Sequence, residues 1–268
     1  MLSQSEGSVG IFDSGFGGLT VLKALIQHLP EESYTYLGDS ARLPYGTKSP
    51  QTIRRYLEQN IAFLKSLKVK VIIVACNSAS SMLQPDDDFG LPVLGVIQPG
   101  AEAAAATTLN NKIAVIGTRA TINGKSYLRA IQKLNPAIEV FQQACPLFVP
   151  LVEEGWEDDP LTNLIVHRYL SPLLTVGVDT MILGCTHYPV LRKSIQKVIR
   201  NNVKLIDSAE TIAEQLALKI TRSEIARNTS DSPALTILAT DTGESFHAVA
   251  QKILAPIRFD SIIPVDIK

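Results

Sequence analysis

The sequence has few of the residues that build disulfide frameworks or metal sites. It contains three cysteines, Cys76, Cys145 and Cys185, and no CxxC pair. Its four histidines are dispersed along the chain. Disulfide-rich folds and structural zinc sites both need cysteines or histidines in close, regular spacing. We therefore expect reduced cysteines, no metal ion and no disulfide scaffold.

A charge excess and a long apolar run are missing as well. Lysine and arginine total 25 against 26 acidic residues, which gives a net charge of −1. This balance offers no electrostatic footprint for nucleic acid or an anionic membrane. No uninterrupted apolar segment approaches a bilayer-spanning length, and residues 1–7 lack the features of a secretory signal. We expect no nucleic-acid partner, no membrane partner and a cytoplasmic location.

Two short stretches share one pattern, and the rest of the sequence is arranged around them. Each is a short, mostly apolar run that contains β-branched residues and ends in a cysteine, Cys76 in the first and Cys185 in the second. Such runs are typical of strands buried on both faces of a parallel sheet, although a buried helix has a similar composition. Polar residues suited to a helix start follow each cysteine, and a helix start lowers a thiol pKa and offers amides to an anion. The repetition favours functional cysteines, whereas Cys145 lies outside the pattern and is expected to be a buried packing residue.

The remaining chain alternates predicted strands and helices. Residues 98–100 are interpreted as a crossing between two units, 144–155 as a proline-bounded loop and 223–233 as a surface loop. The fold class is α/β, with two similar domains of mostly parallel sheets flanked by helices and an active site in the cleft between them. Residues 1–97 plus 208–268 would form the first, discontinuous domain, and residues 98–207 the second, inserted one.

Candidate ligand-binding residues follow several predicted strands, where open α/β sheets bind ligands. Asp13 and Asp39 end two of these strands, and Thr118 and Thr121 follow another, although helix capping is an equally simple role for Asp13 and the threonines. The glycines at 15, 17 and 18 suggest a dinucleotide-binding turn, which would make the protein a nucleotide-binding module. Thr20 occupies the third glycine position of that fingerprint, so the match is weak.

Two cysteines facing each other across a cleft suit one kind of chemistry. A cysteine with a nearby histidine, such as Cys185 with His187, could transfer an acyl group, but that reaction leaves Cys76 unexplained. Two opposed thiols could instead remove a proton from one face of a carbon and return a proton to the other face. In that scheme Asp13 could assist Cys76, and His187 with Glu153 could assist Cys185.

Several motifs, in a fixed order between residues 9 and 209, carry a resemblance to a known family. They are Asp13 to Gly18, Asp39 with Pro44 to Gly46, Ala75 to Ser80, Cys145 to Gly155, and Gly184 to Pro189. The sequence resembles the cofactor-independent aspartate/glutamate racemase family, and its glutamate racemases in particular. The family usually has threonine where this chain has Ser78, and the hydroxyl group is kept.

The resemblance implies an isomerase that interconverts L- and D-glutamate without a cofactor and supplies D-glutamate for peptidoglycan, hence for the cell wall and cell shape. It implies that Cys185 deprotonates L-glutamate and Cys76 D-glutamate. Homodimers are common in the family, so a homodimer is expected. The implied substrate-binding residues are Asp13, Ser14, Asp39, Pro44, Tyr45, Gly46, Asn77, Ser78, Thr118, Thr121, Thr186 and His187.

Other interpretations stay open. Aspartate racemases and one-cysteine decarboxylases share the fold, and the presence of two cysteines disfavours the decarboxylases. The Asp13 to Gly18 and Pro44 to Gly46 stretches favour glutamate over aspartate. A non-catalytic regulatory protein of this fold would leave the retention of both cysteines unexplained.

Overall fold

The structure is a computed structural model that describes residues 7–226 and 232–267. Residues 1–6, in which we expect no secretory signal, lie outside the described residues, as does the middle of the predicted surface loop at 223–233. Within the described ranges, no helix combines the length and the apolar character needed to cross a membrane.

Strands and helices alternate through the described chain. The strands are β1 (Val9–Asp13), β2 (Tyr34–Gly38), β3 (Val71–Val74), β4 (Val93–Gly95), β5 (Lys112–Gly117), β6 (Glu139–Ala144), β7 (Thr180–Gly184), β8 (Lys204–Asp207), β9 (Leu235–Ala239) and β10 (Ile262–Pro264). The helices are α1 (Leu19–His28), α2 (Pro50–Ser66), α3 (Asn77–Ser80), α4 (Ile97–Thr107), α5 (Arg119–Gly124), α6 (Ser126–Leu134), α7 (Phe148–Glu153), α8 (Pro160–Thr175), α9 (Arg192–Ile199), α10 (Ser208–Thr221) and α11 (Glu244–Leu254). Short 3₁₀ helices span Ser40–Arg42, Tyr45–Thr47 and Tyr188–Leu191.

The strands form two parallel sheets. The first has the order β10-β9-β2-β1-β3-β4 and the second the order β6-β5-β7-β8, and neighbouring strands in both sheets run parallel. The second sheet is built from residues 112–207, so it interrupts the first sheet in sequence. The predicted α/β class with helix-flanked parallel sheets is confirmed, while the domain boundaries stay a prediction.

Helix α2 shows how local sequence sets these elements. The Ser49 hydroxyl accepts the Thr52 N–H at 3.3 Å, and Pro50 stands at the first helical position, where its missing N–H costs nothing. The helix then buries a stripe with a spacing of three to four residues against the first sheet. The stripe consists of Ile53, Leu57, Ile61 and Leu64.

One apolar core connects the two sheets. A single cluster of buried side chains includes Ile11 and Ile73 from the first sheet and Ile116 and Leu183 from the second. Helix α10 packs against both α1 and α4, so the helices that flank the two sheets also pack on each other. The sheets are therefore held by shared hydrophobic contacts and not by the connecting chain alone.

One sequence prediction is wrong because proline was interpreted as a loop signal: Phe148–Glu153 of the expected loop at 144–155 is helix α7. Residues 98–100, the predicted crossing, lie inside α4, the helix that joins β4 of the first sheet to β5 of the second. Pro99 and Pro150 each occupy the first turn of their helix, where no intrahelical partner is needed for the backbone nitrogen. Strand β10 was not predicted, since Ile262–Pro264 is a three-residue edge strand that ends in proline.

Candidate active site

Both cysteine-bearing strands occupy the same position in their sheets. β1 lies between β2 and β3, and β5 lies between β6 and β7, so the chain reverses its direction of winding at β1/β3 and at β5/β7. The crevice at the carboxyl ends of strands beside such a reversal is the usual ligand site of an open α/β sheet. Cys76 follows β3 and Cys185 follows β7. Each cysteine therefore stands at the expected ligand position of its own sheet.

A cavity of about 20 Å³ brings the two cysteines together. The sequence-predicted residues that line it are Ser14, Pro44, Tyr45, Gly46, Cys76, Asn77, Ser78, Thr118, Cys185, Thr186 and His187. The other predicted residues do not line the cavity: Asp13, Asp39 and Thr121 are buried behind its wall, and Glu153 is half-buried beside His187. Loops from both sheets thus surround one small space.

Leu43 and Val149 also line the cavity, and the sequence analysis missed both. Val149 precedes Glu153 by one helical turn, so recognising α7 would have placed the two on one face. Leu43 meets a loop that is distant in sequence, since a Cβ on Gly15 would lie 2.8 Å from Leu43 Cδ1. A contact of that kind leaves no local pattern in the sequence.

Asp13 joins the loops of the two sheets. It ends β1 and is fully buried. Its Oδ2 accepts the Gly15 N–H at 3.0 Å, and its Oδ1 accepts the Thr186 hydroxyl at 3.1 Å. Burial raises the pKa of Asp13, and these hydrogen bonds offset that rise only in part. A buried carboxyl with a raised pKa can hold or release a proton closer to neutrality than an exposed one.

The glycine-rich turn after β1 exists for close packing. A Cβ on Gly17 would lie 2.6 Å from both His187 Nδ1 and Thr186 Oγ1. A Cβ on Gly18 would lie 2.4 Å from Asp13 Cβ. The glycines that suggested a nucleotide-binding turn therefore have a steric reason within this protein.

Burial dominates the chemistry of both thiols. Burial, with a smaller contribution from a negative charge on Asp13, raises the pKa of Cys76 to about 12 and the pKa of Cys185 well above its ordinary value. The expectation that a helix start lowers these pKa values is wrong for these buried thiols. Helix α3 has only four residues, and a 3₁₀ helix follows Cys185 after two residues, so neither offers a long helix dipole against desolvation.

Each thiol has a polar neighbour of its own. Cys76 Sγ lies 3.6 Å from Ser14 Oγ, and Cys185 Sγ lies 3.9 Å from His187 Nδ1. Both contacts are within sulfur hydrogen-bonding range. Cys76 therefore faces a hydroxyl and Cys185 an imidazole, so the two sulfurs have different local partners.

His187 and Glu153 form the second polar layer beside Cys185. His187 Nε2 lies 3.7 Å from Glu153 Oε1, and within the described residues neither atom has a hydrogen-bond partner. Burial lowers the pKa of His187 to about 4, so its ring is neutral at pH 7. Burial, with a smaller effect from Glu154, raises the pKa of Glu153. Glu154 is exposed, so Glu153 is the acid that faces His187.

The hydroxyl groups of Ser78, Thr118 and Thr121 form a cluster beside the cavity. Ser78 Oγ lies 2.9 Å from Thr118 Oγ1 and 3.4 Å from Thr121 Oγ1, and the two threonine oxygens lie 3.1 Å apart. Thr118 also caps α5, because its hydroxyl accepts the Thr121 N–H. Thr118 therefore both caps α5 and lines the cavity.

Asn77 connects the cavity to α6 and α10. Its Oδ1 accepts the Tyr127 hydroxyl at 2.7 Å, and its Nδ2 donates to Ser208 Oγ at 3.4 Å. Both partners lie in the part of the chain that follows β4, whereas Asn77 follows β3. The hydrogen bonds therefore fix the residue next to Cys76 against α6 and α10.

Asp39 supports the Pro44 to Gly46 loop from behind. Its carboxylate is fully buried and accepts hydrogen bonds from Arg42 Nε at 2.7 Å, Thr240 Oγ1 at 3.1 Å and Asn60 Nδ2 at 3.3 Å, and from the Tyr45 hydroxyl. Tyr45 in turn lines the cavity. Asp39 therefore reaches the site through Tyr45.

Cys145 stands apart from the other two cysteines. It is fully buried in the large core cluster, does not line the cavity, and its Sγ lies 3.7 Å from the Gln143 carbonyl oxygen. Across residues 7–226 and 232–267, no group of three or more His, Cys, Asp or Glu side chains is arranged to hold a metal ion. The chemistry of the described site rests on thiol, carboxyl, imidazole and hydroxyl groups.

The fold and the paired cysteine loops define an α/β protein with two parallel sheets and one site that carries two thiols. A family model described as Asp/Glu/Hydantoin racemase matches residues 17–216. The chain belongs to that family.

Individual relatives agree with this assignment. A glutamate racemase from Geobacter metallireducens is 46% identical over 92% of both chains. Among solved structures, a glutamate racemase isoform from Bacillus anthracis has a TM-score of 0.92 at 36% identity, covering 97% of both chains. The glutamate racemase from Francisella tularensis in complex with D-glutamate has a TM-score of 0.90 at 36% identity, covering 97% of this chain and 98% of that one.

Proposed function

We propose that this protein is a glutamate racemase that interconverts L- and D-glutamate by proton transfer at the α-carbon. The observation that carries the proposal is that Cys76 and Cys185, from equivalent positions of two sheets, line one cavity. Its glutamate racemase relatives, one of them solved with D-glutamate, support glutamate as the substrate. In this proposal the D-glutamate serves peptidoglycan synthesis in the cytoplasm, and a homodimer stays a prediction.

The proposed reaction balances with two sulfurs. One sulfur begins as a thiolate and takes the α-proton, so a C–H bond breaks and an S–H bond forms. The electron pair on carbon then takes the proton of the opposite thiol, whose S–H bond breaks. Cys185 would act on L-glutamate and Cys76 on D-glutamate. Each turnover inverts the carbon and exchanges the protonation states of the two cysteines.

The neighbouring groups are proposed to tune and reset the thiols. Asp13 would assist Cys76, and His187 with Glu153 would assist Cys185. Burial raises the pKa of Asp13 and lowers the pKa of His187. Shifts of this kind are common among acid–base groups of active sites. A bound ammonium group would lower the raised thiol pKa values, because a nearby positive charge favours the thiolate.

The substrate's charged groups have matching partners around the cavity. Hydroxyls and loop amides would hold the two carboxylates, and the Asp13 carboxylate would attract the ammonium group from behind the wall. The remaining residues that the sequence analysis assigns to substrate binding would hold these donors in position. The donors proposed for the carboxylates are Ser14, Ser78, Thr118 and Thr186, with the amides of Gly46 and Asn77.

Cysteine replacement tests the proposal directly. Cys76→Ala and Cys185→Ala should each abolish racemisation, whereas Cys145→Ala should keep most of it because Cys145 does not line the cavity. The measurement is chiral chromatography after incubation with L-glutamate, with L-aspartate as the competing substrate. Equal losses in all three variants would show that the site is wrongly assigned, and faster turnover of aspartate would reject glutamate.

Solvent deuterium tests the two-sulfur scheme. The delivered proton comes from a thiol that has exchanged with solvent, so the first D-glutamate formed from L-glutamate in deuterated water should carry deuterium. The recovered L-glutamate should stay largely unlabelled at early times. Mass spectrometry of the separated enantiomers measures both. Equal early labelling of both enantiomers would contradict the scheme even if the protein racemises glutamate.

A further inference from the structure

The small volume of the cysteine cavity requires a route for the substrate. Its volume of about 20 Å³ has room for about one water molecule, so an amino acid reaches the sulfurs only when the walls part. Gly46 is part of this wall and also lines an outer cavity of about 320 Å³. The two cavities are therefore neighbours that share Gly46.

Residues of the second sheet complete the boundary. Thr118 lines the inner cavity, and the next residue, Arg119, lines the outer one. A Cβ on Gly46 would lie only 2.6 Å from Thr118 Cβ, so the backbone at Gly46 is in direct contact with that side chain. Separation of Gly46 from Thr118 would connect the outer cavity to the space between the cysteines.

The outer cavity carries positive charge without a compensating acid. Lys48 and Arg119 both line it and are exposed, and no aspartate or glutamate is among its lining residues. Among the ion pairs formed by described residues, neither Lys48 nor Arg119 takes part. A local positive field thus stands at the boundary of the cysteine cavity in a protein whose net charge is −1.

We propose that this outer cavity is an entrance vestibule that attracts amino acids with two carboxylates. Glutamate has two carboxylates and one ammonium group, so it is a net anion at neutral pH and is drawn to uncompensated cations. An amino acid with an uncharged side chain has no net charge and gains no such attraction. The inference rests on the proposed racemase function and assigns Lys48 and Arg119 to substrate capture, outside the proton transfer.

Charge reversal tests the vestibule. In the double variant Lys48→Glu/Arg119→Glu, kcat/KM for L-glutamate at low ionic strength should fall about tenfold, within the range of electrostatic steering. The kcat value should change less than twofold, because neither side chain lines the cysteine cavity. Added sodium chloride should lower kcat/KM of the wild type and raise that of the double variant.

A matched control separates local from overall charge. Lys133 and Lys204 are exposed and lie outside the vestibule, and Lys133→Glu/Lys204→Glu changes the net charge by the same amount. This control should alter kcat/KM less than twofold. Equal losses in the two double variants, or no loss in the first, would overturn the vestibule. A wild type that fails to racemise glutamate would overturn the proposed function itself. The neutral variant Lys48→Gln/Arg119→Gln should have a kcat/KM between those of the wild type and the charge-reversed variant. A loss that is graded with charge in this way is not expected from misfolding.

Discussion

At the scale of single residues, burial sets the protonation states of the site. Cys76, Cys185 and His187 are almost inaccessible to solvent, and burial holds the thiols protonated and the imidazole neutral. The sequence locates these residues because each follows a recognisable strand. It does not give their pKa values, since those depend on how completely distant loops exclude water.

His187 provides a pH-dependent contribution to stability. Its pKa is about 4 in the folded protein against 6.5 for the ordinary side chain, so the unfolded chain binds a proton first as the pH falls. Stability is therefore lost as the pH falls from about 6.5 to about 4, by about 3 kcal/mol in total. Above this window the ring is neutral in both states and contributes no slope.

We expect His187→Asn to remove this loss. The free energy of unfolding, measured in urea between pH 7 and pH 4.5, should fall more steeply for the wild type than for the variant. The raised pKa values of Asp13 and Glu153 act with the opposite sign, but they are present in both proteins. Parallel pH dependences of the two proteins would show that His187 titrates as an ordinary histidine.

At the scale of elements, the sequence predicts the strands better than the turns that come after them. The apolar runs became β3 and β7, and all residues of both strands are buried. Only short helices follow the two cysteines: α3 has four residues, and the segment after Cys185 begins with a 3₁₀ helix. Contacts with residues of the other sheet's loops shape both segments. Hydrogen bonds such as Thr186 to Asp13 join residues far apart in sequence, and single-sequence periodicity contains no information about them.

The turn at Gly17 gives an element-scale prediction. In Gly17→Ala the new Cβ would lie 2.6 Å from His187 Nδ1 and from Thr186 Oγ1, so the turn after β1 must move away from the loop after β7. A displacement of about 1 Å in a catalytic constellation can cost about a hundredfold in rate. We expect a kcat loss of that order, with a stability loss of about 1 to 3 kcal/mol from overpacking.

Gly243→Ala is the matched control for this substitution. Gly243 is exposed, and the nearest atom to its added Cβ would be Asp241 Oδ1 at 3.9 Å. The control should keep the wild-type kcat and melting temperature. Steady-state kinetics and thermal melts of both variants decide the matter, and full activity of Gly17→Ala would mean that the two loops yield without effect on the site.

At the scale of the whole molecule, the two sheets should unfold together. The largest core cluster contains side chains from both sheets, and α10 packs on α1 and α4. Each fully buried aliphatic side chain contributes about 1.5 to 3 kcal/mol, so separating the sheets would expose apolar surface that neither could cover alone.

We therefore expect one calorimetric transition, with equal calorimetric and van't Hoff enthalpies. Because a ligand held between the sheets stabilises only the closed arrangement, D-glutamate should raise the transition temperature without splitting the peak. Two resolved peaks would show that the sheets form independently stable units despite their shared core.

The cluster of Ser78, Thr118 and Thr121 has a consequence for how an anion would be received. Each hydroxyl in the triangle can donate to or accept from its neighbours, so its hydrogens have several arrangements of similar energy. An arriving carboxylate would select the arrangement whose hydrogens point towards it, while the oxygens keep their places. The hydroxyl hydrogens can thus reorient to suit the anion while the oxygen atoms of the wall stay fixed.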